Sequence, residues 1–199
     1  MAGIYLHIPF CKQACNYCDF HFSTSMKMKS DLVESIIQEI ELRKEVFANE
    51  LISSVYFGGG TPSLLSKEDL DVIFEKLYMS FTIDADAEIT LEANPDDLTF
   101  EKILELKDSP INRLSIGVQS FRDEDLRFMN RAHCAKEALK AIKMSQNAGF
   151  HNLTIDLIYG TPGMSNEAWI HNLKTSFDLN IPHISAYALT VEEKTALHH

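Results

Sequence analysis

Three cysteines fall within eight residues, as Cys11-x3-Cys15-x2-Cys18, and the fourth, Cys134, stands apart. In a reducing compartment such a group reads as metal-binding rather than disulfide-forming. Three thiolates on one loop can hold three corners of a four-iron, four-sulfur cluster ([4Fe-4S]). Clusters of that size ordinarily take four cysteines. Three therefore leave one iron open, and an open coordination position is where a metal site reacts. Phe10, Tyr17, Phe20 and Phe22 would shield the cluster and help set its potential. Two other readings stand beside this one. One is a structural zinc knot with His7 or His21 as fourth ligand; the other is cysteines packed without metal.

A second group is Gly58-Gly59-Gly60-Thr61-Pro62. Successive glycines let backbone approach a ligand closely and expose its N–H and C=O groups. The plainer reading is a tight strand-to-helix connection. The run matches neither the phosphate loop nor the dinucleotide fingerprint, so ATP and NAD are poorly supported.

The elements that must position these residues alternate without interruption. Gly3–Pro9 reads as a first strand, and Ser30 as the N-cap of a helix over Asp31–Ala48. Ser54–Phe57 is a second strand, closed by the glycines. Ser66-Lys67-Glu68-Asp69 is a capping box opening a helix that turns Leu70, Ile73, Phe74 and Leu77 inward. Strands over Glu88–Ala93, Arg113–Gln119, Asn152–Tyr159 and His183–Leu189 follow. Helices lie between them over Phe100–Lys107, Asp123–Met129, Ala135–Ala148 and from Ser165 to Leu179. Such alternation implies a parallel sheet with right-handed crossovers. The strand faces are mostly apolar, as expected when both are covered. Periodicity leaves open whether six strands curl into a partial barrel or lie flat and doubly wound.

Placed on this scaffold, Glu92, Gln119 and Asp156 fall in the C-terminal halves of strands three, four and five, the edge where parallel α/β folds bind ligands. Carboxylates within apolar strands are costly without a partner, and Arg131 is a candidate partner for a carboxylate of ligand or protein. Internal ion pairs are the plainer reading. Trp169, Leu173 and Phe177 repeat at helical spacing and read as core. Cys134 reads as a structural thiol, and His151, His171 and His183 as surface or packed residues.

The 199 residues suffice for one domain, and 45% hydrophobic with 24% charged residues is ordinary for a globular chain and excludes disorder as the main state. A net charge of −11 argues against nucleic-acid binding. No apolar run reaches the length of a membrane span, and Met1–Tyr5 lacks the pattern of a secretory signal, so a cytoplasmic location is expected. Nothing after Leu189 closes the last layer. Residues 1–199 are therefore expected to be the N-terminal part of a longer protein, with His198-His199 alternatively the start of a tag.

At these residues the sequence resembles the radical S-adenosylmethionine (SAM) superfamily, through the cysteine motif and the glycine run. His7-Ile8-Pro9-Phe10-Cys11, Tyr17-Cys18-Asp19-Phe20, Arg113–Ser120 and Asp156–Gly160 look like the oxygen-independent coproporphyrinogen III oxidase family. The resemblance implies an α/β fold, a partial (β/α)6 barrel of six mostly parallel strands with outer helices and the cluster at its C-terminal mouth. It implies that Cys11, Cys15 and Cys18 hold the four-iron cluster, whose open iron is chelated by SAM. Tyr5, Gly59, Gly60 and Thr61 would line the SAM site, Glu92 and Arg131 would fix its methionine end, and Gln119 and Asp156 would bind the ribose hydroxyls. One departure matters: the oxidase carries a further cysteine two residues after the third, where this chain has Phe20. The Tyr-Cys-Asp-Phe version resembles the HemW branch, whose members are haem chaperones with a C-terminal domain bearing a haem motif that is absent here. The expected ligands are SAM and haem, with haem passed to an acceptor protein. The alternative is a porphyrinogen-decarboxylating oxidoreductase working through a 5′-deoxyadenosyl radical, and a zinc-stabilised binding module is the third reading.

Overall fold

The computed structural model describes residues 2–48 and 50–198. Six strands form one sheet: β1 (Ala2–Ile8), β2 (Leu51–Gly59), β3 (Thr82–Ala93), β4 (Arg113–Gln119), β5 (Leu153–Tyr159) and β6 (His183–Ala188). Every pairing is parallel, and the spatial order β1-β2-β3-β4-β5-β6 repeats the chain order. That order decides between the two architectures left open by periodicity. A doubly wound sheet reverses its strand order at a switch point. Here nothing reverses, so right-handed crossovers put all the helices on one side and the sheet curls into an open barrel.

Six helices fill the crossovers and follow β6's predecessors: α1 (Lys29–Arg43), α2 (Lys67–Ser80), α3 (Phe100–Lys107), α4 (Asp123–Phe128), α5 (Ala135–Asn147) and α6 (Asn166–Asp178). Their starts follow local chemistry. Ser66 and Asp69 form the expected capping box of α2, Thr99 accepts from Lys102 N–H at α3, and Ser165 caps α6. Ser30 is not a cap. A helical turn over Met26–Met28, capped by Ser25, runs into α1, so Ser30 lies inside that helix. Methionine and lysine are good helix formers, and they carry the start back past the serine. The far end tightens into a 3-10 turn over Lys44–Phe47. β3 begins six residues before its expected start, because the acidic stretch Asp84–Asp86 bulges between two paired segments and hides the strand pattern.

The core lies between the sheet and the helices. Leu6, Ile8, Val55, Phe57, Ile89, Leu91, Leu114, Ile116, Ile155 and Leu157 are buried there, with Phe57 packed on Phe74 of α2 at 5.3 Å between ring centres. The opposite face is not apolar, which corrects the expectation of two covered faces. Register aligns Tyr5, Tyr56, Thr90 and Arg113 in one row, and Glu92, Ser115, Thr154 and His183 in another. Registered neighbours share a face, so the barrel interior is lined by polar side chains. Trp169 and Leu173 pack against the core as expected, but Phe177 is 62% exposed, because nothing covers that end of α6 among the described residues. No helix is long and apolar enough to cross a membrane among the described residues. His199 lies outside them.

Candidate functional site

The loop after β1 carries the three cysteines, and its neck is closed by backbone. Cys11 N–H donates to Ser23 O at 3.0 Å, and Ser23 N–H to Pro9 O at 2.7 Å. Its far side is docked on the turn after α4. Asn130, in the left-handed region at φ 54°, donates to Ala14 O at 2.8 Å and accepts from Gln13 Nε2 at 2.8 Å. Asn16 N–H reaches Met129 O at 3.1 Å. Lys12 pairs with Asp96, at 3.1 Å, and with Asp97 in the turn after β3. The loop is thus held at the C-terminal mouth of the barrel by two neighbouring connections.

Gly58–Gly60 let this packing happen. A Cβ on Gly60 would lie 2.6 Å from Phe10 O and 3.0 Å from Cys11 Sγ, and Gly59 has φ 114°. Their N–H groups are used inside the protein: Gly59 donates to Glu92 Oε2 at 3.1 Å and Gly60 to Ile8 O at 2.8 Å. The glycines therefore join β1, β2 and the cysteine loop, and the N–H groups of Gly59 and Gly60 are not free for a ligand. Thr61 is buried and accepts from Asn94 Nδ2 at 3.1 Å.

Arg131 is the half-buried cation of this mouth. Nη1 lies 3.3 Å from Cys15 Sγ and 3.5 Å from the Tyr17 hydroxyl, while Nη2 donates to Asn94 Oδ1 at 2.6 Å and to Gly117 O at 2.8 Å. Among the described residues Nε is buried without a partner, as is Asp96 Oδ1, and both residues line the small pocket against Cys15. Glu92 accepts from the Tyr56 hydroxyl at 2.7 Å as well as from Gly59. Burial pushes its carboxyl above the ordinary value, and the two hydrogen bonds offset part of that. Burial likewise raises Asp156, against hydrogen bonding from Ser185 and the charge of Arg131. Among the described residues neither carboxylate makes an ion pair within 4.0 Å. Tyr5 is exposed inside the barrel, stacked near Tyr56 and hydrogen-bonded to His7 at 3.2 Å. Gln119, at φ 65°, is buried at the last position of β4.

The donors match some groups better than others. All four cysteines are free. Burial raises the thiols of Cys11 and Cys18. Among the described residues no three His, Cys, Asp or Glu side chains come close enough to hold one metal ion. That spacing does not suit a zinc knot, and His7 is turned to Tyr5 instead. The three thiols feel one another's charge, and a cluster asks less of them than a single ion, because each thiolate takes a different iron. Two half-buried carboxylates without an ion pair, one of them in the field of Arg131, suit a ligand carrying both an ammonium and a carboxylate. Of the aromatic shield, Phe10 is buried and Tyr17 and Phe22 are half-buried, but Phe20 is 71% exposed.

Asn94, Lys12, Asp97 and Asn130 position the loop and were not singled out in the sequence. An Asn-Pro pair marks turns, so Asn94-Pro95 after β3 is the signal that could have found the connection carrying Asn94 and Asp97. Asp125 was also missed. It is buried, accepts from Ser120 Oγ at 2.7 Å and Thr161 Oγ1 at 3.0 Å, and joins the exits of β4 and β5.

A loop of three cysteines at the mouth of an open, singly wound parallel barrel is the arrangement of one protein class. Residues 5–175 match the model of the Radical SAM superfamily, and the chain belongs to that superfamily. The superfamily implies a four-iron cluster and SAM. Within it, the chain is 35% identical over 196 residues to heme chaperone HemW of Escherichia coli (strain K12), covering 97% of this chain and 52% of that protein. It is 36% identical over 191 residues to heme chaperone HemW of Lactococcus lactis subsp. lactis (strain IL1403), covering 96% and 50%. Among solved structures it is similar to coproporphyrinogen III oxidase (HemN) from Escherichia coli, a radical SAM enzyme. The TM-score is 0.86 at 32% identity, over 94% of this chain and 44% of that one. The chain spans about half the length of the curated relatives it matches.

Proposed function

We propose that this chain is the cluster- and SAM-binding barrel of a HemW-like haem chaperone, the N-terminal part of a longer protein. One observation carries the SAM site: Glu92 and Asp156 are half-buried carboxylates without an ion pair among the described residues, close enough to feel each other's charge, with Asp156 also within the field of Arg131 beneath the cysteine loop. Cys11, Cys15 and Cys18 hold the cluster. Glu92 takes the SAM ammonium and Arg131 its carboxylate. Gln119 and Asp156 take the ribose hydroxyls, while Tyr5 and the backbone of Gly59, Gly60 and Thr61 line the cleft. When bound, the cluster supplies one electron at a time to SAM. The protein's own part is to orient the zwitterion, keep water from the open iron, and neutralise charge near Cys15 with Arg131.

Phe20 and the HemW names of the relatives favour haem delivery. The likeness to coproporphyrinogen III oxidase supports a second reading, oxidative decarboxylation of porphyrinogen propionates. Electron paramagnetic resonance on the anaerobically reconstituted, reduced protein tests the site. A [4Fe-4S] signal that changes on adding SAM is expected, and a signal indifferent to SAM removes the reading. Haem titration then separates the two functions. Haem uptake without porphyrinogen turnover is expected, whereas SAM cleavage driven by coproporphyrinogen would establish the oxidase.

A further inference from the structure

His133 lies two residues beyond Arg131, on the strap between α4 and α5, and is 4% exposed. Its Nε2 is 3.0 Å from Val118 O. A carbonyl only accepts, so Nε2 carries the proton and Nδ1 is a bare acceptor. Burial, and then the charge of Arg131, hold the imidazole down to about 4, so it stays neutral and this tautomer persists at working pH. Arg131 Nη2 grips the preceding carbonyl, Gly117 O, at 2.8 Å. Two side chains of one strap thus hold consecutive carbonyls at the end of β4.

The next residue is Gln119, and the backbone there is strained. Ser120 N–H donates to Val118 O at 2.8 Å across Gln119, whose φ is 65°. A three-residue turn with positive φ at a non-glycine centre is rare and persists only where its surroundings enforce it. The Val118 carbonyl is the acceptor of that turn, and His133 is its second donor. Three buried side-chain polar atoms lack partners among the described residues: Arg131 Nε, Asp96 Oδ1 and His133 Nδ1. These side chains feel one another's charge. The strap and the mouth therefore form one polar unit around Arg131.

We propose that His133 is a positioning residue: by gripping Val118 O it holds the strained turn that presents Gln119 and fixes the strap that aims Arg131 at the mouth. This rests on the reading of Gln119 and Arg131 as SAM contacts. The test compares two polar substitutions. In His133→Gln the amide nitrogen can take the place of Nε2 and keep the grip; in His133→Asn it stops short. SAM affinity is measured by equilibrium dialysis on anaerobically reconstituted proteins of matched iron content. His133→Asn is expected to weaken SAM binding about tenfold, and His133→Gln to stay close to wild type. Equal affinities in all three proteins, or equal losses in both variants, would overturn the role of the grip. Wild-type protein that takes up iron but not SAM would instead remove the SAM reading itself, and the inference with it.

Discussion

Glu92 keeps a charge that its surroundings do little to neutralise. Tyr56 and Gly59 hydrogen-bond it, yet burial still raises its pKa and no cation pairs with it among the described residues. A half-buried carboxylate without a cation costs stability and is retained where a ligand completes it. Glu92→Gln is therefore expected to leave the free protein as stable as wild type or more so, while weakening SAM binding at least tenfold. Paired denaturation and dialysis measurements check this, and loss of stability with unchanged affinity would make Glu92 a structural residue. The sign of the pH effect follows from the same shift. The carboxylate must be ionised to hold an ammonium, and its pKa is raised, so SAM binding should fall on acidification earlier than for an ordinary glutamate. Cys15 is the cysteine that faces Arg131. Cys15→Ala is expected to abolish the stable cluster, seen as loss of the iron–sulfur absorbance and of bound iron, with the far-ultraviolet circular dichroism unchanged.

Among the elements, the junction of β1, β2 and the cysteine loop has the least room. The glycine run reads equally well in sequence as a ligand cradle or as a tight turn. The structure gives Gly60 a packing role, because a Cβ there would meet the backbone of Phe10 and the sulfur of Cys11. Gly60→Ala is expected to cost roughly 1–3 kcal/mol through overpacking and to lower iron retention by displacing Cys11. Thermal melting and iron analysis read the two effects, and an unaltered iron content would mean that the loop moves freely relative to β2. Most element positions were legible from local signals. α3 and β4 fall where the sequence places them, because Thr99 caps one and Gln119 ends the other. The start of α1 was not, because Ser30 has the chemistry of a cap but lies within a stretch whose neighbours also favour helix. The early part of β3 was hidden by Asp84–Asp86, which break the apolar alternation at a bulge.

At the scale of the whole molecule, buried polar groups tie the strand exits together, and His133 makes one of those ties pH-sensitive. Its folded pKa of about 4 lies below the ordinary 6.5. Between those values the unfolded chain binds more protons, so the contribution of His133 makes stability rise with pH through this window and fall as pH drops toward 4. The full shift corresponds to at most about 3 kcal/mol. His133→Gln should flatten that part of the profile in urea denaturation between pH 4 and 7. The raised carboxylates Glu92, Asp97 and Asp156 act in the opposite sense in both proteins and cancel in the difference. An identical slope in the variant would place the imidazole in water.

By itself the sequence determined the alternation of six strands with helices, the three-cysteine loop, and the polar residues Glu92, Gln119 and Asp156 within strands three, four and five. These depend on local periodicity and on residue chemistry, which need no long-range contact to be read. Only the tertiary structure decided that the sheet is singly wound with a polar inner face, since strand order depends on pairings between residues distant in sequence. It also decided what surrounds each candidate. Arg131 meets Cys15, Asn94 and Gly117 only when the exits of β3 and β4 close over the cysteine loop. Exposure of Phe20 and Phe177 is likewise settled by what packs on them, which no spacing of apolar residues specifies.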